Sequence, residues 1–107
     1  MADTLLVLGQ LFPADTAEAN LYVADAATAV SSVVICNHST ATTYRVSVAI
    51  AGAVANDKQY LAYDRPIGAN ETHEITTGIT LANTDVIRVR AGTGNFISFS
   101  AFGVKVT

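Results

Sequence analysis

The sequence contains little of what chemical sites and disulfide-stapled folds require. It has one cysteine, Cys36, so it forms no intrachain disulfide and needs no oxidising compartment. It has no tryptophan, which disfavours a sugar-binding surface. Charged residues make up only 14% of the chain while 50% are hydrophobic, which excludes a disordered protein. With so few charges, part of the surface is expected either to face a partner or to be covered by Ala, Thr and Ser.

Basic residues are also few, and they do not cluster. The net charge is −3, and acids lie between most of the six Lys and Arg residues, so neither DNA nor RNA is expected as a partner. No apolar run approaches the roughly 20 residues of a membrane-spanning helix, so no membrane association is expected. Residues 1–9 lack the basic region of a signal peptide, which predicts a protein made in a cytosol.

Short segments rich in Val, Ile, Thr, Tyr and Phe alternate with Gly, Asn, Asp and Pro. This punctuation predicts an all-β fold, a single antiparallel β-sandwich or jelly-roll-like domain of about eight strands over residues 1–107. Residues 1–12 form either the first strand or an N-terminal arm that pairs with a neighbouring subunit. The predicted strands are Thr4–Gln10, Ala19–Ala24, Ala29–Asn37, Thr43–Ile50, Lys58–Tyr63, Glu71–Thr77, Thr84–Ala91 and Asn95–Val106.

The clearest alternation lies in Thr43–Ile50, where aromatic and aliphatic side chains take one side and Arg45 the other. The segment before it, Ala29–Asn37, is apolar on both sides, as expected of a central strand. Residues 38–41 form a short polar connector between the two. The sequence therefore predicts a hairpin of these strands.

Two further features concern prolines and glycines. Pro66 predicts a turn over residues 64–68. In the last strand the apolar side chains change phase after Ala101, which predicts a β-bulge that Gly103 would ease.

No pattern indicates a catalytic, cofactor or metal site. The glycines around Thr93 lack the third glycine and the helix of a dinucleotide fingerprint. Cys36 and His38 share a strand face, but such neighbours on one strand rarely point at each other, so a catalytic dyad is not expected. A zinc site would need His73 to converge on them. The glycosylation pattern at Asn37 is treated as coincidence, because no secretory signal is present. A non-enzymatic protein without cofactor or metal is predicted.

The sequence does offer candidate interaction residues. Arg88 and Arg90 share one face of a predicted strand, and Arg45 lies on a strand that could be their neighbour. Because arginine grips carboxylates bidentately, the three form either a solvated strand face or a docking patch for an acidic partner. Tyr60 and Tyr63 suit a core edge and an interface equally. The apolar N-terminal residues complete the set: Leu5, Leu6, Leu8 and Phe12.

Three stretches resemble one protein family. The run from Ser32 through VVICNHSTATTYRVSVAI is similar to a recurring SSIVVCN-x-(S/T)-(A/T)-T-(Y/F)-R pattern. The stretch QYLAYDRPIGANETHEITTGITLANTDVIRVRA resembles its usual continuation, and FISFSAFGVKVT its usual ending. Residues 81–87 also resemble the L-x-x-x-D-x-I strand entry of trimeric jelly-roll heads. Over residues 30–107 the chain thus resembles short virion structural proteins of tailed bacteriophages.

The resemblance implies a non-enzymatic subunit present in many copies in the virion and made in the cytoplasm of a bacterial host. Its implied partner is the major capsid protein or another virion protein, and its implied state is a homotrimer. A compact domain without fibre repeats favours a capsid cement or decoration protein. A tail, collar or fibre component and a generic sugar- or peptide-binding β module are the alternatives.

Overall fold

Antiparallel strands make up most of the protein in this computed structural model, which describes residues 3–106. Within that range the chain forms nine strands: β1 (Asp3–Leu11), β2 (Ala19–Val23), β3 (Ala27–Asn37), β4 (Thr42–Ala49), β5 (Tyr60–Ile67), β6 (Thr72–Ile75), β7 (Ile79–Leu81), β8 (Val86–Ala91) and β9 (Ile97–Val106). Short 3₁₀ turns at Ile50–Gly52 and Asp57–Gln59 join β4 to β5. Residues 3–106 contain no helix long and apolar enough to cross a membrane.

The strands form two packed sheets. Sheet A has the order β1-β9-β3-β6, with β7 also pairing with β3, and sheet B has the order β2-β8-β4-β5. Because β6 and β7 pair with β3 one after the other, they act as one interrupted strand. The chain then crosses between the sheets at nearly every connection, which is a jelly roll of eight strand positions. The predicted antiparallel sandwich is confirmed.

Apolar side chains from the inner faces of both sheets form the core. Val33, Ile35 and Phe99 of sheet A are fully buried, as is Ile87 of sheet B. The ring of Tyr44 in sheet B packs edge-on against Phe99 of sheet A, with the centroids 6.5 Å apart. Each such side chain contributes about 1.5–3 kcal/mol on burial, so the inward half of the alternation supplies most of the stability.

β3 and β4 lie in different sheets, so the predicted hairpin is wrong. The buried Asn37 side chain explains the change of sheet. Its Nδ2 donates to the carbonyl oxygens of Thr40 and Gly68 at 2.8 and 3.0 Å, and its Oδ1 accepts from the Ser39 amide at 3.0 Å. These bonds lead the chain out of sheet A, and they leave the amide no room for a glycan.

Pro66 lies inside β5 and not in a turn, so that prediction is also wrong. It stands opposite Thr43 of β4. β5 is the edge strand of sheet B, where a residue without an N–H is tolerated because its outer side has no strand to pair with.

β9 keeps a single phase, because Gly103 continues the buried series that starts at Ile97. The bulges lie in its two neighbours instead, with Leu8 extra in β1 and Ser31 extra in β3. A Cβ at Gly103 would come within 2.3 Å of the Ala29 carbonyl oxygen. The glycine is therefore needed for close strand approach, and the predicted phase change reflects outward-facing apolar residues.

Candidate interaction surfaces

The outer face of sheet B brings the three predicted arginines together. Arg45 on β4 stands directly opposite Arg90 on β8, and Arg88 stands opposite Ser47 on the same face. Like charges directly opposite each other destabilise a sheet unless other groups compensate them. The partners of these arginines therefore decide what the surface can do.

Arg45 is held by an acid and two aromatic rings. Its Nε and Nη2 donate to the Asp64 carboxylate at 2.7 and 3.0 Å. Its guanidinium lies 4.1 Å from the ring centroid of Tyr63, and the Tyr63 ring meets that of Tyr60 edge-on at 4.8 Å. The bond from Arg45 lowers the pKa of Asp64 below its ordinary value. A fixed cation thus lies beside two tyrosines, one of them 56% exposed.

Arg88 and Arg90 hold loops against the sheet. Arg88 donates to the carbonyl oxygens of Ala53 and Gly52 at 2.7 and 3.1 Å, and Arg90 donates through Nε to the Thr16 carbonyl oxygen at 2.7 Å. Strand alternation placed these arginines on one face, but it carries no signal for contacts with loops 35 to 74 residues away in sequence. Their role includes local structure.

Two clefts open beside this cluster. One has a volume of about 350 Å³ and the other about 440 Å³. The first presents two arginines against one carboxylate, so it carries excess positive charge in a protein of net charge −3. We call the five exposed-face side chains the Arg–Tyr surface: Arg45, Tyr60, Tyr63, Asp64 and Arg90. It can accept a carboxylate of a partner and pack its aromatic rings against the partner's apolar groups.

The cysteine and the histidines do not converge. Cys36 lies opposite Ser98 in sheet A, and His38 Nε2 bonds to the Ser98 hydroxyl at 2.9 Å. His73 faces the other way, and its Nδ1 bonds to the Tyr44 hydroxyl at 2.9 Å. Burial raises the pKa of Tyr44, so that hydroxyl stays protonated. Over residues 3–106 no three His, Cys, Asp or Glu side chains are grouped to hold a metal ion.

The outer face of sheet A is largely apolar where β1 and β9 pair. Leu5 lies opposite Val104 and Val7 opposite Phe102. Leu5 is 82% exposed and Val7 51% exposed. We call this the apolar face, and its members are Leu5, Val7, Phe102, Val104 and Val106. Ala27 and Ala29 of β3 extend it across the next strand.

The other predicted N-terminal residues are separated by the fold. Leu6 stands opposite Gly103, on the other side of the sheet from the apolar face. Leu8 is the bulged residue and packs against the core. Phe12 lies at the opposite end of sheet A, half exposed, with its ring edge-on to His38 at 5.3 Å. Leu6, Leu8 and Phe12 are close in sequence, but the fold places them in three different environments.

Comparison with known proteins shows a fold and no sequence family. No protein-family model and no curated protein matches the chain. A chain of the acid-stable capsid structure of Helicobacter pylori bacteriophage KHP30 superposes with a TM-score of 0.58 at 10% identity, covering 98% of this chain and 94% of that one. A chain of the structure of infectious bursal disease virus, Gx strain, gives a TM-score of 0.53 at 12% identity, covering 96% of this chain but 32% of that one. The jelly roll is therefore shared with chains of two viral structures.

Proposed function

We propose that this protein is a non-enzymatic structural subunit of a tailed-phage particle, a cement or decoration protein that binds the major capsid lattice. The observation that carries the proposal is the near-complete mutual coverage with a chain of a phage capsid structure. The resemblance of residues 30–107 to virion structural proteins supports it independently. The protein is proposed to be made in the host cytoplasm and to act in the virion as a homotrimer.

The Arg–Tyr surface is the proposed contact with the lattice. The cleft is lined by Arg45, Arg90 and one carboxylate, Asp64, which bonds to Arg45. A partner carboxylate entering the cleft would neutralise the remaining positive charge of Arg90. The exposed ring of Tyr63 would add apolar area that becomes buried when the partner binds. Together these features suit a capsid loop that carries an acidic residue next to an apolar one.

Stabilisation would follow from mass action. A protein that binds the mature lattice and not its dissociated form stabilises the lattice by RT ln(1 + [L]/Kd), about 2.7 kcal/mol at a hundredfold excess over Kd. Many such sites on one shell would add up against the pressure of packaged DNA. No reaction and no cofactor is needed for this role.

Reconstitution tests the function. Purified protein added to capsids that lack it should co-sediment with them and raise their temperature of DNA release. Binding to isolated tails and not to capsids would reject the cement role in favour of a tail component. Binding to neither, with binding to a glycan or peptide array instead, would favour a generic binding module.

The contact is tested by Tyr63→Ala. Tyr63 is 56% exposed, so its truncation is expected to leave the fold intact while weakening capsid binding about tenfold or more, as buried aromatic anchors do. Phe12→Ala is the matched control, since Phe12 is 51% exposed but directly follows β1 of sheet A. Equal loss of binding in both variants, or loss in Phe12→Ala alone, would show that the lattice does not sit on the Arg–Tyr surface. Charge reversal of Arg88 is less useful, because it would release the loop that this residue holds.

A further inference from the structure

Strand β1 has an unguarded edge. It pairs on one side with β9, and residues 3–7 are exposed. Soluble proteins usually protect a free edge with charge, proline, a bulge or a short strand, because unpaired backbone groups invite another strand. The first half of β1 has a single charged residue, Asp3, at its end and no proline, while its bulge comes later at Leu8.

The other sheet edges in the described chain are all protected. The β5 edge contains Pro66 and a left-handed Asp64 with a φ of 49°. The β6–β7 edge is broken into segments of 4 and 3 residues around Gly78. The β2 edge is covered by the second half of β1, whose Gly9 lies so close that a Cβ there would meet the Leu21 carbonyl oxygen. The open edge at residues 3–7 is thus an exception within this fold.

The open edge and the apolar face are continuous. Leu5 and Val7 belong to both, and β9 extends the face with Phe102 and Val104. Among the described residues of this face no charge is present except Asp3 at its corner, opposite Val106. Only an equally uncharged surface can cover such a face without burying an unpaired charge.

We propose that copies of this chain bind one another through the apolar face and the free edge of β1. A second copy supplies the required uncharged surface. In a homotrimer the contact is heterologous, so the β1 edge strand of one copy packs against the apolar face of the next and every copy uses both surfaces. Pairing of two β1 edges with each other would instead close a two-fold dimer. The net charge of −3 opposes contact through most other faces, whereas this one keeps charge away from the contact. The inference names the subunit contact of the homotrimer and rests on that part of the proposed function.

The proposed self-contact is compatible with capsid binding. The apolar face lies on sheet A, and the Arg–Tyr surface lies on sheet B, with the core between them. A subunit can therefore contact its copies through one sheet and the lattice through the other.

Leu5→Asp tests the proposal by light scattering coupled to size exclusion. Leu5 is 82% exposed, so the substitution should not unfold the chain, but it would bury a charge in the subunit contact. We expect the variant to run as a monomer at concentrations where the wild type is a trimer, with at least tenfold weaker association. Val54→Asp is the control, because Val54 is 88% exposed but lies in the loop before β5, away from β1; it should keep the wild-type mass.

The outcomes separate the two proposals. If the Leu5→Asp variant has the same mass in solution as the wild type, the proposed contact is wrong, while the trimer itself stands. A wild-type protein that is monomeric at high concentration would overturn both the trimer and this contact, whatever capsid binding shows. Amide hydrogen exchange gives a second readout: residues 3–7 should exchange more slowly in the assembled protein, and unchanged exchange there would also contradict the proposal.

Discussion

At the scale of single residues, Thr84 has the largest positive φ of the non-glycine residues that the structure describes. It precedes β8 with a φ of 77°, and its amide donates to the Ala24 carbonyl oxygen at 2.7 Å. The left-handed region costs a residue with a Cβ about 1–2 kcal/mol, while glycine loses roughly 0.5–1 kcal/mol through chain entropy. Thr84→Gly is therefore expected to raise the free energy of unfolding by about 0.5–1 kcal/mol in urea titrations.

The control for this prediction is Thr80→Gly. Thr80 is also exposed but lies in β7, so glycine there should destabilise the protein. If Thr84→Gly loses stability as Thr80→Gly does, the positive φ of Thr84 does not destabilise the folded protein.

Residue identity predicted some side-chain environments and not others. Period-two alternation was enough to place Arg88 and Arg90 on one face of their strand, because successive side chains of a strand point to opposite sides. That Arg45 joins them depends on the pairing of β4 with β8, which alternation does not give. The acid that pairs with Arg45 was not identified, since Asp64 was assigned to a turn around Pro66. That assignment ignored the tolerance of edge strands for proline.

At the scale of strands, Asn37 links the two sheets. It ends β3 of sheet A and donates to carbonyl oxygens of the following connector and of Gly68, just after β5 of sheet B. Asn37→Ala would leave these buried groups without partners. We expect a loss of about 2–3 kcal/mol in the free energy of unfolding by chemical denaturation, since each such group costs roughly 1–3 kcal/mol.

Asn20→Ala serves as the comparison. Asn20 is an exposed residue of β2, and its truncation should change the free energy of unfolding by less than about 0.5 kcal/mol. A small effect at Asn37, comparable to that at Asn20, would show that the connector does not depend on this amide.

Strand positions were easier to predict than strand partners. Local alternation located a counterpart of every strand except the short β7, which lies between the predicted strands Glu71–Thr77 and Thr84–Ala91. Pairing depends on contacts between distant residues, so the β3–β4 hairpin was predicted from a short connector that actually spans the two sheets. The β9 phase could not be read either, because Val104 and Val106 are apolar residues on an outer face.

At the scale of the whole molecule, three aspartates are expected to make the stability of the fold depend on pH. Bonds to their carboxylate oxygens lower the pKa of each below the ordinary aspartate value of 3.8. The donors are a lysine, an arginine and a pair of backbone amides: Lys105 for Asp25, Arg45 for Asp64, and Ala51 with Ala82 for Asp85. The first contact joins the β2–β3 loop to β9, the second joins β4 to β5, and the third joins the loop after β4 to the loop before β8.

The direction of these shifts predicts acid sensitivity. An aspartate with a lower pKa in the folded state stabilises the fold above its unfolded value and loses that contribution as the pH falls through the folded value. The thermal midpoint should therefore fall steeply below about pH 4, as followed by circular dichroism. Asp85→Asn, which cannot titrate, should start lower at pH 7 and fall less steeply in acid. A midpoint that stays level down to about pH 2, or an unchanged slope in Asp85→Asn, would mean that these contacts contribute no pH-dependent stability.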